Sequence, residues 1–454
     1  MAKRFICIVV MLVACFAGVP AYCETGDLRP VTNIAAKVQT LTLDQAVAMA
    51  KTGNRTLRNA VLEVQKTEDT LKAAKTQYYP EIQLSASVTR TLTDMKFKVS
   101  DDSLYGIQTS SYGQSGTTTL TIPAETDAYA GVSITQPLSQ IYRIAMEVEV
   151  ERKTHEIASE KERHARHELV NGVKKLYYEL IQSESSLLAV NEAIAFYREL
   201  SRVLDDQLKQ QTVLRHEALD IKAQLAKYEY DEMSMKNAVR TMKEQMNELL
   251  ARDIETPFDI MPVPEVVLKE EDFADARVRA LKGRPDIKVS ELTAMQAEFS
   301  KNAKASEFIP DLSLGFNYHT MSSLPVGFTY VSLTLTWKQP DWGKTWHELA
   351  ARKRALQQAE NEIEAARAKA SVDINKTIRK LTETKKLLDA RRLGREAAQE
   401  KLSASMNLYK AGSILLKDLL KDQAALAEAN RHCHEAQGTY FSARADLDKA
   451  LGEE

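Results

Sequence analysis

The stretch that decides the fold is Ala303–Thr320, AKASEFIPDLSLGFNYHT. A helix-compatible run ends at Pro310, and apolar and polar residues then alternate strictly. Because successive side chains of a strand point to opposite faces, this alternation predicts a strand with one apolar and one polar face. We expect the apolar face to contact lipid and the polar face to contact water. The predicted lipid-facing residues are Leu312, Leu314, Phe316 and Tyr318, and the predicted water-facing residues include Ser313 and Asn317.

The same plan occurs a second time at Ala74–Thr89, AKTQYYPEIQLSASVT, where Pro80 takes the place of Pro310. Gly53 and Gly283 are separated by the same offset of about 230 residues, as a long internal repeat requires. The sequence therefore predicts two tandem repeats, each with the order helix, strand, strand and long helical hairpin. The fold class is mostly α with a small β part.

Each predicted strand has a partner further along the chain. In the first repeat the strands cover about 81–98 and 128–137, with an exposed polar loop over 100–118. In the second repeat they cover about 311–319 and 328–337. In the last strand Val331, Leu333 and Leu335 are predicted to face lipid, and Ser332 and Thr334 to face water.

Long helical hairpins are predicted over 139–250 and 345–451. In a heptad repeat written from Val173, most residues at the two core positions are apolar, which is typical of a coiled coil. At 1.5 Å per residue, its helix would be on the order of 100 Å long. The heptad residues are Val173, Leu176, Leu180, Ser183, Leu187, Val190, Ile194, Tyr197, Ser201, Leu204 and Leu208.

Composition agrees with long helices and argues against a nucleic-acid partner. Charged residues make up 27% of the chain with a net charge of -2, whereas nucleic-acid binders are basic. Only 16 glycines and 12 prolines interrupt the 454 residues, which favours helices. A proline-rich linker at 254–272 separates the first repeat, 24–253, from the second, 273–454.

The N-terminus, 1–23, is predicted to be a secretory signal peptide, with a basic start and an apolar run to Gly18. A second route stays open. Leu12-Val13-Ala14-Cys15 resembles the lipobox of bacterial lipoproteins, in which Cys15 would be lipidated. After cleavage at Cys23 only Cys433 remains, so no intrachain disulfide is expected.

We find no sequence pattern for an enzyme or a cofactor site. His432, Cys433 and His434 point about 100° apart on a helix and cannot all bind one ion. His164 and His167 could share an ion, but solvated helix positions are the simpler interpretation. Nucleophile-elbow, P-loop, dinucleotide and zinc-protease motifs do not occur.

Four strands of this kind are too few for a closed barrel, since single-chain barrels need eight or more. A symmetric trimer would supply twelve. The alternative is a sandwich of two hairpins in a soluble protein, but Ser, Thr, Gly, Asn and Gln make the second face too hydrophilic for a core. That face suits a water-filled lumen.

Several motifs carry a resemblance to a known family over nearly the whole mature chain. They are Leu41–Ala46, the strand entries at Pro80 and Pro310, the strand exit Val132–Leu138, and Leu408–Gly412. In this order and spacing the chain resembles the TolC-like outer membrane efflux protein family, also called outer membrane factors.

The resemblance implies a homotrimer in the outer membrane of a Gram-negative bacterium. Its 12-stranded β-barrel would contact outer-membrane lipid and continue as a coiled-coil α-helical barrel into the periplasm. The resemblance also implies docking to a periplasmic adaptor (membrane fusion) protein and an inner-membrane pump of RND or ABC type. The protein would be a passive conduit for efflux or type I secretion. The alternative is a periplasmic coiled-coil adaptor or structural protein without a pore.

In that family the periplasmic tip of the helical hairpins forms the gate. Tyr409, Gly412 and Asp418 match the gating tyrosine, the turn glycine and the first constricting aspartate. Asp422 lies next to the position of a second aspartate. Two positions depart from the family pattern: Ile414 replaces a gating arginine and Lys421 replaces that second aspartate.

Overall fold

A computed structural model of the chain describes residues 39–100, 117–122, 124, 126–210, 214–261, 273–322, 327–338 and 340–452. The chain divides into two compact units. The strand unit comprises Ala73–Val148 and Asn302–Leu349, together with Met1–Asn33, which lies outside the described residues. The helical unit comprises Ile34–Lys72, Glu149–Lys301 and Ala350–Glu454.

The elements follow in chain order. They are β1 (Gln39–Leu41), α1 (Leu43–Gly53), α2 (Arg55–Thr76), β2 (Glu81–Arg90), β3 (Met95–Ser100), β4 (Thr117–Ile122), β5 (Thr126–Pro137), α3 (Ile141–Lys209), α4 (Arg215–Leu249), β6 (Phe258–Ile260), α5 (Phe273–Gly283), α6 (Pro285–Ala305), β7 (Asp311–Met321), β8 (Gly327–Thr336), α7 (Lys344–Lys410) and α8 (Leu416–Leu451). A single 3-10 turn, Ser306–Phe308, separates α6 from β7.

The strand unit contains a four-stranded sheet in the order β2-β5-β7-β8, and every neighbouring pair is antiparallel. The central β5–β7 pair joins the two halves of the chain. Ser139, just after β5, fixes this junction: its hydroxyl donates to the carbonyl of Pro310 at 2.8 Å and accepts from the N–H of Leu312 at 2.7 Å. Arg143 adds an ion pair with Asp311 at 3.1 Å.

The first strand differs from the prediction. Instead of one strand over 81–98, the structure has β2 and β3, separated by four residues that end at Asp94. The Asp94 carboxylate accepts a hydrogen bond from the N–H of Ala124 at 2.8 Å, just beyond the pair of Met95 with Ile122. β3 pairs with β4, so the predicted loop at 100–118 was wrong at both ends, at Ser100 and at Thr117 and Thr118. Residues 101–116 lie outside the described part.

A short strand forms at the start of the first repeat and another within the predicted proline-rich linker. β1 and β6 pair in parallel, Leu41 opposite Ile260. The buried hydroxyl of Tyr177 lies 2.9 Å from the carbonyl oxygen of Leu41 and 2.7 Å from that of Met261. It therefore bonds to the backbone at the ends of both strands. Residues 262–272 of the linker lie outside the described part.

Capping and periodicity explain the helices. Thr42 and Gln45 form the capping box at the start of α1, through reciprocal bonds of 3.3 and 3.2 Å. α3 runs for 69 residues and α7 for 67. Among the described helices, none has the length and apolarity needed to cross a membrane. The buried heptad residues of α3 are Val173, Leu176, Leu180, Val190, Ile194, Tyr197 and Leu204.

Side chains connect the end of one helix to the start of another at two places in the helical unit. Asn54 caps α2 by accepting from the N–H groups of Thr56 (2.9 Å) and Leu57 (3.1 Å), and its amide donates to the carbonyl of Leu249 at the end of α4 (3.0 Å). Arg284, before α6, donates to the carbonyl of Ala450 near the end of α8 (3.4 Å). Each bond satisfies a terminal carbonyl that has no partner within its own helix.

We expect Asn54→Ala to lower the free energy of unfolding by about 1–2 kcal/mol, because it removes a helix cap and leaves a terminal carbonyl unpaired. Denaturant unfolding followed by circular dichroism measures the change. Thr52→Ala is the matched control, since the exposed Thr52 hydroxyl bonds only to carbonyls of its own helix. Its expected change is within about 0.5 kcal/mol. Equal effects of the two substitutions would show that the connection contributes nothing.

Candidate functional site

One face of the four-stranded sheet is apolar and exposed in the chain. In the β7–β8 pair, the register places Phe316 opposite Val331 and Leu314 opposite Leu333. In the β2–β5 pair, Leu84 lies opposite Val132 on the same face. Together they form a continuous apolar surface, which soluble monomers rarely expose. Its exposed large side chains, with their exposed fractions, are Ile82 (66%), Leu84 (74%), Val88 (72%), Leu314 (43%), Phe316 (43%), Tyr318 (40%), Val331 (67%), Leu333 (66%) and Leu335 (66%). Leu312, on the same face, is half-buried.

The opposite face is polar and carries small residues beside larger ones. Asn317 donates to the hydroxyl of Ser332 at 3.4 Å, and the rings of His319 and Tyr330 stack with centroids 5.9 Å apart. Gly131 makes room for this pair, because a Cβ there would lie 2.5 Å from Nδ1 of His319. Ser313 and Thr334, opposite each other in the register, share the parity of this face.

The turn of the second helical hairpin is a Schellman motif. Gly412 has φ +73°, the left-handed region that glycine enters at low cost. The N–H of Ser413 donates to the carbonyl of Leu408, and the N–H of Gly412 donates to that of Tyr409, both at 2.9 Å. The ring of Tyr409 is 38% exposed, so the turn presents it to the surroundings.

The two aspartates predicted at the gate have different surroundings. Asp418 lies exposed in the first turn of α8. Asp422 is buried, and its carboxylate accepts from Lys401 at 2.7 Å and from the hydroxyl of Ser405 at 2.5 Å. The hydrogen bond from Lys401 has the larger effect and that from Ser405 the smaller, and both lower the pKa of Asp422 below its usual range. Asp422 therefore connects α8 to α7 within one hairpin.

The second hairpin packs on the first hairpin close to its turn, a contact that no sequence pattern predicted. Leu420 is buried in a cluster with Tyr197, Leu204 and Ile221, which come from α3 and α4. Tyr197 also stacks on Tyr228 with centroids 5.1 Å apart, and burial raises its pKa to about 12. Of the two residues that depart from the family pattern at this turn, Ile414 is half-buried and Lys421 is exposed.

The histidines set aside in the sequence make contacts with carboxylates or are buried. His432 lies 3.2 Å from Glu435, and His164 lies 3.6 Å from Glu168. Burial lowers the pKa of His434. Within the described part of the chain, no group of three or more metal-ligating side chains could hold an ion. His167 and Cys433 are both buried.

Two predictions from the sequence fall on residues outside the described part. The signal peptide at 1–23 and the possible lipidation of Cys15 both remain predictions. The mass of the mature N-terminal peptide distinguishes cleavage near Cys23 from lipidation at Cys15.

The family model for outer membrane efflux proteins matches residues 46–251 and 276–453 of this chain, which is most of its length. The chain belongs to the outer membrane efflux protein family. It is therefore an outer-membrane component of an efflux channel in a Gram-negative bacterium, rather than a periplasmic adaptor. A search of curated protein sequences finds no match.

Solved structures of outer-membrane channels share the fold of this family member. CusC is 17% identical, with a TM-score of 0.75 over 94% of this chain and 96% of that chain. The Campylobacter jejuni outer membrane channel CmeC is 16% identical, with a TM-score of 0.77 over 90% and 85%. The open state of the Neisseria gonorrhoeae outer membrane channel MtrE is 18% identical, with a TM-score of 0.71 over 90% and 89%.

We predict that Asp422→Asn loosens the second hairpin. The lowered pKa means that the carboxylate stabilises the fold above its unfolded pKa, and that this contribution is lost as the pH falls through the folded pKa. In the parent, hydrogen exchange over 405–422, corrected for the intrinsic rate, should therefore rise below about pH 4.

In Asp422→Asn the same amides should exchange faster already at pH 7, and the acid-dependent increase should disappear. Asp418→Asn is the control, because Asp418 is exposed. Unchanged exchange in Asp422→Asn at pH 7 would contradict the assignment.

Proposed function

We propose that three copies of this chain form one outer-membrane channel, with a 12-stranded β-barrel continued by a coiled-coil α-helical barrel. The observation that carries the proposal is the four-stranded sheet. Its outer strands, β2 and β8, have no further strand beside them in the described part of the chain. Lipid offers no hydrogen bonds to such edges, so a sheet in a bilayer must close with further strands. Two neighbouring copies would supply those strands.

The composition of the two faces supports the same arrangement. The apolar face, with Leu333 and Leu335 about two-thirds exposed, would contact lipid. The polar face, with Ser313, Asn317 and the half-buried Ser332, would line the water-filled lumen. A sandwich core would leave these polar groups without water, at a cost of roughly 1–3 kcal/mol for each unpaired group.

We further propose that the second hairpin turn lies at the periplasmic gate. Tyr409 and Asp418 are exposed in a turn that Gly412 closes tightly, so both side chains are available to contact other copies or the permeating solute. The open state described for MtrE supports gating in a channel of this fold. Asp422 would act indirectly, by holding α7 and α8 together.

The channel would be passive, and its partners would supply energy. We propose a tripartite assembly with a periplasmic adaptor (membrane fusion) protein and an inner-membrane pump of RND or ABC type. Family membership and the long helical hairpins support this assembly.

The first experiment is fractionation followed by planar-bilayer recording: the purified protein should be recovered from outer membranes and produce discrete conductance steps. Recovery only in the soluble periplasm would end the proposal.

Two adjacent residues test the assignment of the faces. In a Cys433→Ala background, a charged aqueous thiol reagent should label Ser332→Cys in intact membranes and leave Leu333→Cys unlabelled, because only the first would face water. Each of the two cysteine variants is the matched control for the other. After denaturation both cysteines should label equally. The reverse pattern in membranes would exclude the proposed orientation.

Asp418→Ala tests the gate. Three copies of an exposed carboxylate around a narrow axis attract cations, as charge rings do in selective pores. We expect the substitution to weaken block by multivalent cations and to change single-channel conductance. Glu360→Ala is the comparison, since Glu360 is an exposed carboxylate on α7 far along the helix from the hairpin turn. If conductance and block stay at parent values in Asp418→Ala, Asp418 does not line the constriction.

A further inference from the structure

Ring-bearing side chains gather at one end of the polar face of the four-stranded sheet. This is the end where β7 stops and β8 starts, opposite to the end where β7 begins at Asp311. Towards that other end the same face carries mostly small side chains, such as Ser313, Ser332 and Thr334. We call the four ring-bearing residues the ring patch. They are Tyr129 (40% exposed), Phe328 (55%), Tyr330 (49%) and the exposed His319.

The strand register places the four rings next to one another. His319 lies opposite Gly131 on one side and Phe328 on the other, and Tyr129 and Tyr330 lie in the two adjacent rows of the same face. Such rows are about 7 Å apart, because residues on one face are separated by two positions along the strand. His319 already stacks on Tyr330, with ring centroids 5.9 Å apart. One planar solute could therefore contact several rings at once.

The charge of this face is negative. The alternation of the four strands assigns Glu81, Asp127 and Asp311 to it, and neither a lysine nor an arginine of these described strands. Asp311 is paired with Arg143. Asp127 precedes Tyr129 by two residues on β5, and its Oδ1 is buried without a hydrogen-bond partner among the described residues. An unpartnered carboxylate oxygen is costly, so a cation beside the ring patch would stabilise it.

We propose that the ring patch is a binding site for planar aromatic cations, which a solute contacts at the outer mouth as it leaves the channel. The proposal rests on the proposed function, because it requires the polar face to line a water-filled lumen. The helices would then continue from the Asp311 end into the periplasm, which leaves the ring patch at the outer end.

Two features of the patch favour this class of solute. The faces of phenylalanine and tyrosine rings attract cations and stack on flat aromatic systems, and Asp127 adds negative charge beside them. An apolar ring as exposed as Phe328 is a cost in a lumen that carries only water and small ions, which favours a solute that covers it. The competing occupants are water alone and a neighbouring copy, since Phe328 and Tyr330 lie on the edge strand β8.

Channel block tests the site, with ethidium as a planar aromatic cation and tetraethylammonium as a cation of equal charge without rings. In planar bilayers, ethidium should block the parent at lower concentrations than tetraethylammonium. Tyr330→Leu and Phe328→Leu should each raise the half-blocking concentration of ethidium about two- to fivefold, the effect of one cation–π contact at an exposed site. Neither substitution should change the conductance without blocker or the block by tetraethylammonium. Asp127→Asn should weaken the block by both cations.

Matched variants separate the ring patch from other causes. Tyr330→Phe keeps the ring and should retain the parent value. Tyr318→Leu removes a ring from the same end of β7 on the opposite face, so its ethidium block should also stay at the parent value. All variants are compared in an Asp418→Ala background, so that block at the second hairpin turn does not mask block at the ring patch.

The outcomes distinguish this site from the channel itself. If ethidium blocks the parent and Tyr330→Leu/Phe328→Leu equally, the ring patch does not bind such solutes, and the channel proposal stands. Loss of conductance in the ring variants, with normal conductance in Tyr318→Leu, would assign the rings to a contact between copies and also overturn the proposal. A parent protein that forms no conducting channel would overturn the proposed function, and this site with it.

Discussion

The two open edges of the four-stranded sheet are the constraint on which the rest of the structure depends. Within the described residues, β2 and β8 each pair on one side only. A sheet that is apolar on one face and polar on the other can be stable neither alone in water nor alone in lipid. In water its apolar face stays exposed, and in lipid the edge N–H and C=O groups lack partners. The proposed association of identical copies would remove both problems, because each β8 would meet the β2 of a neighbour.

Local periodicity made much of this fold predictable. The alternation around Leu314 and Leu333 indicated which face of the sheet is apolar, and the register places these two residues opposite each other. The heptad from Val173 predicted the buried side of α3. Such patterns are readable because they repeat every two or every seven residues, and because a single shift would turn the whole apolar set to the wrong side.

The features that the sequence did not reveal depend on contacts between distant residues. β1 and β6 have three residues each, and they become strands only because 39–41 and 258–260 meet beside Tyr177. Beside the break before β3, the Asp94 carboxylate accepts a hydrogen bond from the N–H of Ala124, thirty residues away. The connection from Asn54 to Leu249 spans almost the whole first repeat. A short strand or a single polar bond has no period, so no window of sequence could identify it.

The two aspartates of the second hairpin show why residue type and position alone do not assign a role. Asp418 and Asp422 lie four residues apart on α8 and therefore share a face of the helix. Lys401 and Ser405 lie four residues apart on α7, at the height of Asp422, and both reach its carboxylate.

Asp418 lies one helical turn closer than Asp422 to the end of the hairpin. There α7 ends at Lys410 and the chain enters the Gly412 turn, and Asp418 is exposed. The same carboxylate chemistry thus yields one group that holds a hairpin closed and one whose charge is available to an axis. The departure at Lys421 fits this division: where the family pattern would place a second free aspartate, this chain has an exposed lysine, and its next carboxylate is already paired. In the proposed channel Asp418 is then the carboxylate of the second hairpin turn whose charge could form a ring around the axis.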